Sequence, residues 1–188
     1  MRPYYVQMLL PGETSEEFAL ILPFTPQERQ NMVAWMAARC DPENYGEILS
    51  YEFPAGRNVD GPVQVFNQVQ SYPPFSEQAT LLGTGGSRLL FGNLLVIPID
   101  NSFLYVQPVF VQSSQENAYP ELKRVVVVQG GTVGIGSTLG EALISAGIGP
   151  NGQPLPGEQP STGGTGSKAV DQLLAEALAH FQKANQAL

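Results

Sequence analysis

The stretch LLFGNLLVIPIDNSFLYVQPVFVQ, Leu89 to Gln112, is almost continuously apolar within a chain whose formal net charge is -8. Leu89 to Ile99 falls well short of the roughly 20 apolar residues that cross a bilayer as a helix. Asn93 and Pro98 interrupt it, and Asp100-Asn101-Ser102 follows at once. Asx residues between two apolar runs favour a tight reversal, so the stretch reads as an antiparallel hairpin. Both runs are too uniformly apolar for one wet face, which predicts a hairpin covered on both sides. Pro98 and Pro108 cannot donate to a ladder and are expected at a bulge, a strand end or an edge.

Working outward, RVVVV (Arg124 to Val128) reads as a further strand, Gly130-Gly131 as a two-residue turn and Thr132 to Ile135 as the returning strand. Thr138 with Glu141 three residues on forms a capping box, opening a helix that runs to Ala146 and ends at Gly147. Upstream, Tyr4 to Leu10 and Phe18 to Phe24 read as strands around Pro11-Gly12. Thr25-Pro26-Gln27-Glu28 carries a helix-start signature, with Val33, Met36, Ala37 and Cys40 following at helical spacing and Asp41-Pro42 as a stop. A helix from Thr25, with Trp35 or Met36 packed inward, is therefore expected. Glu47 to Phe53 alternates as a strand. After Gly61-Pro62, Val63, Val65 and Val69 fit a strand while Pro62, Val65, Phe66 and Val69 fit a helix, and the Gly-Pro entry favours the helix. Phe75 to Leu82 reads as a short helix closed by Gly83. The fold class expected is α+β, a mostly antiparallel sheet of hairpins with helices packed on it.

This α+β domain is expected over residues 1–148. From 149 to 167 the composition turns to Gly, Pro, Ser and Thr with one large apolar residue, Leu155, which reads as a linker. In 168–188, Val170, Leu173, Leu174, Ala177, Leu178, Phe181 and Leu188 mark one face of an amphipathic helix that needs a partner. The partner expected is the rest of a parent protein or a second copy, held through Leu173, Leu174 and Phe181.

Composition excludes more than it selects. Charged residues are only 14% of the chain, with Gly 20 and Pro 16, as in a domain whose surface is partly covered by neighbours. The acidity opposes nucleic acid and anionic lipid, both of which are bound through Lys and Arg. The lone Cys40 permits no intramolecular disulfide and no cysteine-based zinc site. The N-terminus lacks the apolar core of a signal peptide.

No motif in the chain assigns a chemistry. GGTVGIGSTLGEAL follows a strand, but Gly140 stands one place late for the G-x-G-x-x-G dinucleotide fingerprint. GTGGSR, Gly83 to Arg88, lacks the Lys and Ser/Thr of a phosphate loop and reads as a turn into the buried strand. Cys40 reads as a small core residue, and His180 as a solvent-facing helical side chain. Asp41 and Glu43 lack the alternating oxygen ligands of a calcium loop. Glu47, Glu52 and Asp100 are the carboxylates that could meet for acid–base work. No catalytic residue, cofactor or metal is assigned.

Five passages together resemble one family: PYYVQMLLPGE (Pro3–Glu13), EEFALILPFTPQERQNMVAWMAARCDPENYGEILSYEFP (Glu16–Pro54), GSRLLFGNLLVIPIDNSFLYVQPVFVQ (Gly86–Gln112), PELKRVVVVQGGTVGIGSTLGEAL (Pro120–Leu143) and LLAEALAHFQKANQAL (Leu173–Leu188). They resemble the C-terminal soluble region of an uncharacterised, UPF-type family of very large multi-pass membrane proteins of actinobacteria and cyanobacteria. The resemblance implies an excised piece of such a protein, on the extracytoplasmic side of a cell membrane, and carries over no functional residue. The expectation is a non-enzymatic interaction or structural module. A small-molecule or lipid-binding module serving envelope transport is the alternative, and a carboxylate hydrolase is a third.

Overall fold

A computed structural model of the chain describes residues 3–54, 56–99, 102–115 and 117–148. The chain divides into two compact units, Met1–Ser71 and Tyr72 onward, a boundary inside the 1–148 span expected as one domain. Antiparallel sheets dominate both, with three helices among the described residues, so the α+β class stands. Residues 149–188, with the expected linker and final helix, lie outside the described residues.

In the first unit, β1 (Tyr4–Leu9) and β2 (Glu16–Phe24) form a hairpin, continued by β4 (Ala34–Arg39) and β5 (Ile48–Glu52) in the order β1-β2-β4-β5. Two short strands, β3 (Asn31–Met32) and β6 (Val59–Asp60), pair separately. Tyr4, Ala19, Ile21, Trp35 and Ala37 share one face through the registers Tyr4↔Ile21 and Ile21↔Ala37, and all five are buried. Helix α1 (Pro62–Ser71) buries Pro62, Val65 and Val69 at helical spacing. A Cβ on Gly61 would sit 2.0 Å from the Gln30 carbonyl oxygen, so only glycine fits where α1 begins.

The helix expected from Thr25 does not form: strands β3 and β4 occupy this segment. Glu28 takes a left-handed φ of 67°, and the Arg29 N–H bonds the Pro26 carbonyl at 3.2 Å, closing a turn at the point where the helix would start. Residues 34–39 instead form β4, paired on one side with β2 and on the other with β5. An internal strand bonded on both sides overrides the helix preference of Met36, Ala37 and Ala38.

The second unit opens with α2 (Pro73–Leu82), which carries proline in its first turn and ends where the Gly83 N–H reaches the Ala79 carbonyl. Its sheet runs β11 (Thr132–Gly136), β10 (Glu121–Gln129), β9 (Ser102–Ser113), β7 (Ser87–Phe91), with β8 (Leu95–Ile99) also on β9. The opening stretch is therefore the expected antiparallel hairpin, with its first run broken into two strands. β8 pairs with the first half of β9 through Ile99↔Ser102, and β7 with the second half through Phe91↔Val109. Pro108 stands at the changeover, where its carbonyl accepts the Gly92 N–H at 3.0 Å, and Pro98 stands on the edge strand β8. Leu104, Tyr105, Val106 and Gln107 are all buried, so the middle of the hairpin is covered on both faces.

Helix α3 (Leu139–Ser145) packs over β11 and β10. Thr138 Oγ1 accepts the Glu141 N–H at 3.2 Å and Glu141 Oε2 accepts the Ser137 N–H at 2.8 Å, the capping box read from the sequence. At its other end the Gly147 N–H bonds Ile144 and the Ile148 N–H bonds Leu143, a glycine-terminated close. Val125 to Val128 are all buried, each contributing about 1.5–3 kcal/mol.

Candidate interaction face

The outward side of the first unit's sheet breaks the rule that a one-sided antiparallel sheet turns polar residues to water. The registers Tyr5↔Leu20, Leu22↔Met36 and Ala38↔Ile48 bring these residues to one surface, together with Phe18 and Phe24. Tyr5, Phe18, Phe24 and Ile48 are 62, 44, 46 and 65% exposed. The Tyr5 and Phe18 rings stack with centroids 5.3 Å apart and planes 7° from parallel. Among the described residues its polar members are Gln7, opposite Phe18, and Ser50, opposite Met36, and charge reaches it only at the margins, from Glu16 and Glu52. Apolar groups gathered this way on a surface mark a contact site more often than scattered ones do.

The opposite face ends in an ion cluster. Arg39 Nε donates to Glu17 Oε2 at 2.7 Å and Nη2 donates to Glu17 Oε1, while Nη1 reaches Glu13 Oε1 at 3.2 Å and Glu47 Oε2 at 3.3 Å. Arg39 and Glu17 are both buried. The Glu17 hydrogen bond raises the Arg39 pKa, against the desolvation that lowers it. Tyr51 donates to the Pro11 carbonyl at 2.8 Å. Burial pushes its phenol up, and the Glu13 carboxylate pushes it the same way. One guanidinium thus ties β2 and β4 to the loops before β2 and before β5. Its chemistry is structural, because each of the three carboxylates is turned toward the same cation.

Beside the cluster lies an open depression of about 360 Å³ lined by Ser15, Glu16, Glu17 and Asp41 to Asn44. Asp41 Oδ2 accepts the Phe18 N–H at 3.1 Å. Among the described residues no three His, Cys, Asp or Glu side chains gather as a metal site.

The residues singled out in the sequence are dispersed. Glu47 joins the Arg39 cluster, Glu52 lies opposite Ala34 at the other end of β5, and Asp100 lies outside the described residues. Cys40 is partly buried, with its thiol donating to the Ala38 carbonyl at 3.4 Å. Arg88 binds Gln112 Oε1 across β7 and β9 at 3.0 and 2.6 Å, where GTGGSR enters its strand as expected. The glycines of the VGIG segment seat α3: a Cβ on Gly134 would lie 2.1 Å from the Ala142 carbonyl oxygen, and one on Gly136 2.5 Å from the Ala142 nitrogen. His180, Leu173, Leu174 and Phe181 lie outside the described residues. Sequence reasoning missed the outward apolar face, although EEFALILPF carries its signal: Phe18 to Phe24 has no polar residue at either period-2 set.

Residues 1–82 match the sequence profile of the uncharacterised protein family UPF0182. The chain is similar to a UPF0182 protein of Moorella thermoacetica, 43% identical over 192 residues, covering 100% of this chain and 21% of that protein. It is 43% identical over 189 residues to a UPF0182 protein of Sulfurovum sp., covering 100% of this chain and 20% of that one. With a UPF0182 protein of Methanospirillum hungatei it shares 44% over 141 residues, 75% of this chain and 16% of that protein. The chain spans about a fifth of the length of the curated relatives it matches over its whole length. These relatives extend the resemblance well beyond actinobacteria and cyanobacteria, across many bacteria and archaea. No solved structure matches the chain. No helix among the described residues is long and apolar enough to cross a membrane.

Proposed function

We propose that this chain is an interaction and structural module of a longer UPF0182-type protein, docking through the outward face of its β1-β2-β4-β5 sheet. The carrying observation is that Tyr5, Phe18, Phe24 and Ile48 are exposed together on one sheet face with charge only at its margins. Family likeness over a fifth of the relatives' length supports the same reading, since the remaining four-fifths offer a covering surface. On this reading the parent is anchored in the cell membrane by segments outside this chain, with the module on the extracytoplasmic side and no catalytic role. Hydroxyl-radical footprinting tests it, with the chain alone compared to the full-length protein that contains it. Tyr5, Phe18 and Phe24 should be oxidised readily in the chain alone and protected in the longer protein. Equal oxidation in both would end the docking reading.

A further inference from the structure

The two larger sheets end in strands that pair on one side only among the described residues, and these edges are not alike. Natural edge strands are kept from pairing with another chain by proline, charge, a bulge or a cover. β8 carries Pro98, and β7 on the same edge carries Arg88. On β11 the Ile135 N–H is taken by Ser145 Oγ of α3 at 3.3 Å. β5 carries the exposed Glu52. β1 has none of these guards. YYVQML, Tyr4 to Leu9, contains no charge, proline or glycine, and its register with β2 runs unbroken from Tyr4↔Ile21 to Leu9↔Glu16.

An added strand must keep the pleat, so the outward residues of β1 meet outward residues of the newcomer. A second copy of β1, laid antiparallel about a twofold axis at Gln7, does this throughout. Tyr5 then stands opposite Leu9 of the second copy, Val6 opposite Met8, and Gln7 opposite itself, each contact being made twice by symmetry. Tyr5, Gln7 and Leu9 are exposed and Val6 and Met8 partly buried, so every pair joins side chains of like exposure. The one polar side chain of the strand meets its own kind, and an amide both donates and accepts. Sliding the pairing by two residues sets Gln7 against Tyr5 or Leu9 instead. Charge agrees with this choice of occupant. Each copy carries -8, and β1 joins two copies without setting carboxylate opposite carboxylate.

We propose that β1 is a self-association edge, joining two copies of this chain by antiparallel β1–β1 pairing centred on Gln7. The product is one eight-stranded sheet, the order β1-β2-β4-β5 doubled across the axis, with both outward apolar faces on the same side. Strand addition of this kind draws its strength from main-chain hydrogen bonds. A single strand pair buries less than the roughly 1,200 Å² of a standard interface, so the association is weak and concentration-dependent. It leaves Phe24 and Ile48 uncovered and is independent of docking through the outward face.

Sedimentation velocity of the full chain over a series of concentrations tests the proposal. The unaltered chain should pass from monomer to dimer. Added salt should strengthen the dimer, because the contact is uncharged while the two acidic copies repel. Gln7→Lys sets like charges directly opposite each other and should weaken dimerisation at least about tenfold, as should Gln7→Glu. Mixing the two variants should restore it, which also shows that both fold. Ile48→Ser, on the far edge strand, should leave the dimer unchanged. A chain that is monomeric at every concentration overturns the proposal. So does a dimer that salt weakens, that Gln7→Lys leaves intact, or that mixing fails to restore. Loss of the dimer in Ile48→Ser would also overturn it, moving the contact to the outward face.

Discussion

Arg39 and Glu17 meet in a two-pronged fork inside the first unit, with Nε on Oε2 at 2.7 Å and Nη2 on Oε1, although 22 residues separate them in sequence. Removing one partner of such a pair leaves the other charge buried, so the penalty follows burial rather than the number of contacts. Glu17 is 4% exposed at its side chain and Glu47 60%. Glu17→Ala should therefore destabilise the chain far more than Glu13→Ala or Glu47→Ala in urea unfolding. Added salt should weaken the Glu47 contribution more than that of Glu17. Equal losses for the three variants would show that the cluster is not organised around the buried fork.

A second prediction concerns acid. Glu141 has its pKa lowered, first by the hydrogen bond from the Ser137 side chain and then by that from the Ser137 backbone. A depressed carboxyl stabilises the fold above its unfolded pKa, and that contribution is lost as pH falls through the lower folded value. The melting temperature of Glu141→Gln should therefore lie below that of the parent chain at pH 7, with the gap closing as pH falls below about 4.5. A gap that persists at low pH would assign the effect to something other than the ionised cap.

Gly134 is required by the seating of α3. An added Cβ would meet the Ala142 carbonyl oxygen at 2.1 Å and the Ala146 Cβ at 2.6 Å. Gly134→Ala should cost at least about 1–3 kcal/mol, the usual range for overpacking. Thermal melts that show no loss would mean that α3 does not approach β11 this closely.

The two faces of the first sheet should respond in opposite ways. Trp35 is fully buried and Ile48 is 65% exposed. Trp35→Ala should cost about 3–5 kcal/mol, and Ile48→Ser should stay within about 0.5 kcal/mol. Chemical denaturation of both variants checks the pair, and a costly Ile48→Ser would place that residue in the core.

Signals that act locally were legible in the sequence. The Thr138–Glu141 cap, the Gly130-Gly131 turn and the Gly61-Pro62 helix entry each depend on neighbours within a few positions, and each appears where the sequence places it. The Leu89 to Gln112 hairpin was readable because its apolar runs are too short to span and too uniform to be half wet. The Thr25 to Cys40 segment misled because its capping signature and alanines are local, while β2 and β5, which make it a strand, lie elsewhere in the chain. In β4, Trp35, Ala37 and Arg39 alternate inward against Met36 and Ala38 outward, a period masked by alanine on both faces. The candidate face stayed hidden for a related reason: apolar residues in β2 are visible in sequence, but which of them meet water depends on what packs on each side.

The most direct measurement is a calorimetric titration of this chain against the remaining four-fifths of the Moorella thermoacetica relative, produced without the matching segment. Docking through the outward face predicts saturable binding that weakens at least about tenfold, or roughly 1.4 kcal/mol, when Phe18→Ser and Ile48→Ser are combined. Absence of binding, or binding that the double variant leaves unchanged, would contradict the outward face as the docking surface.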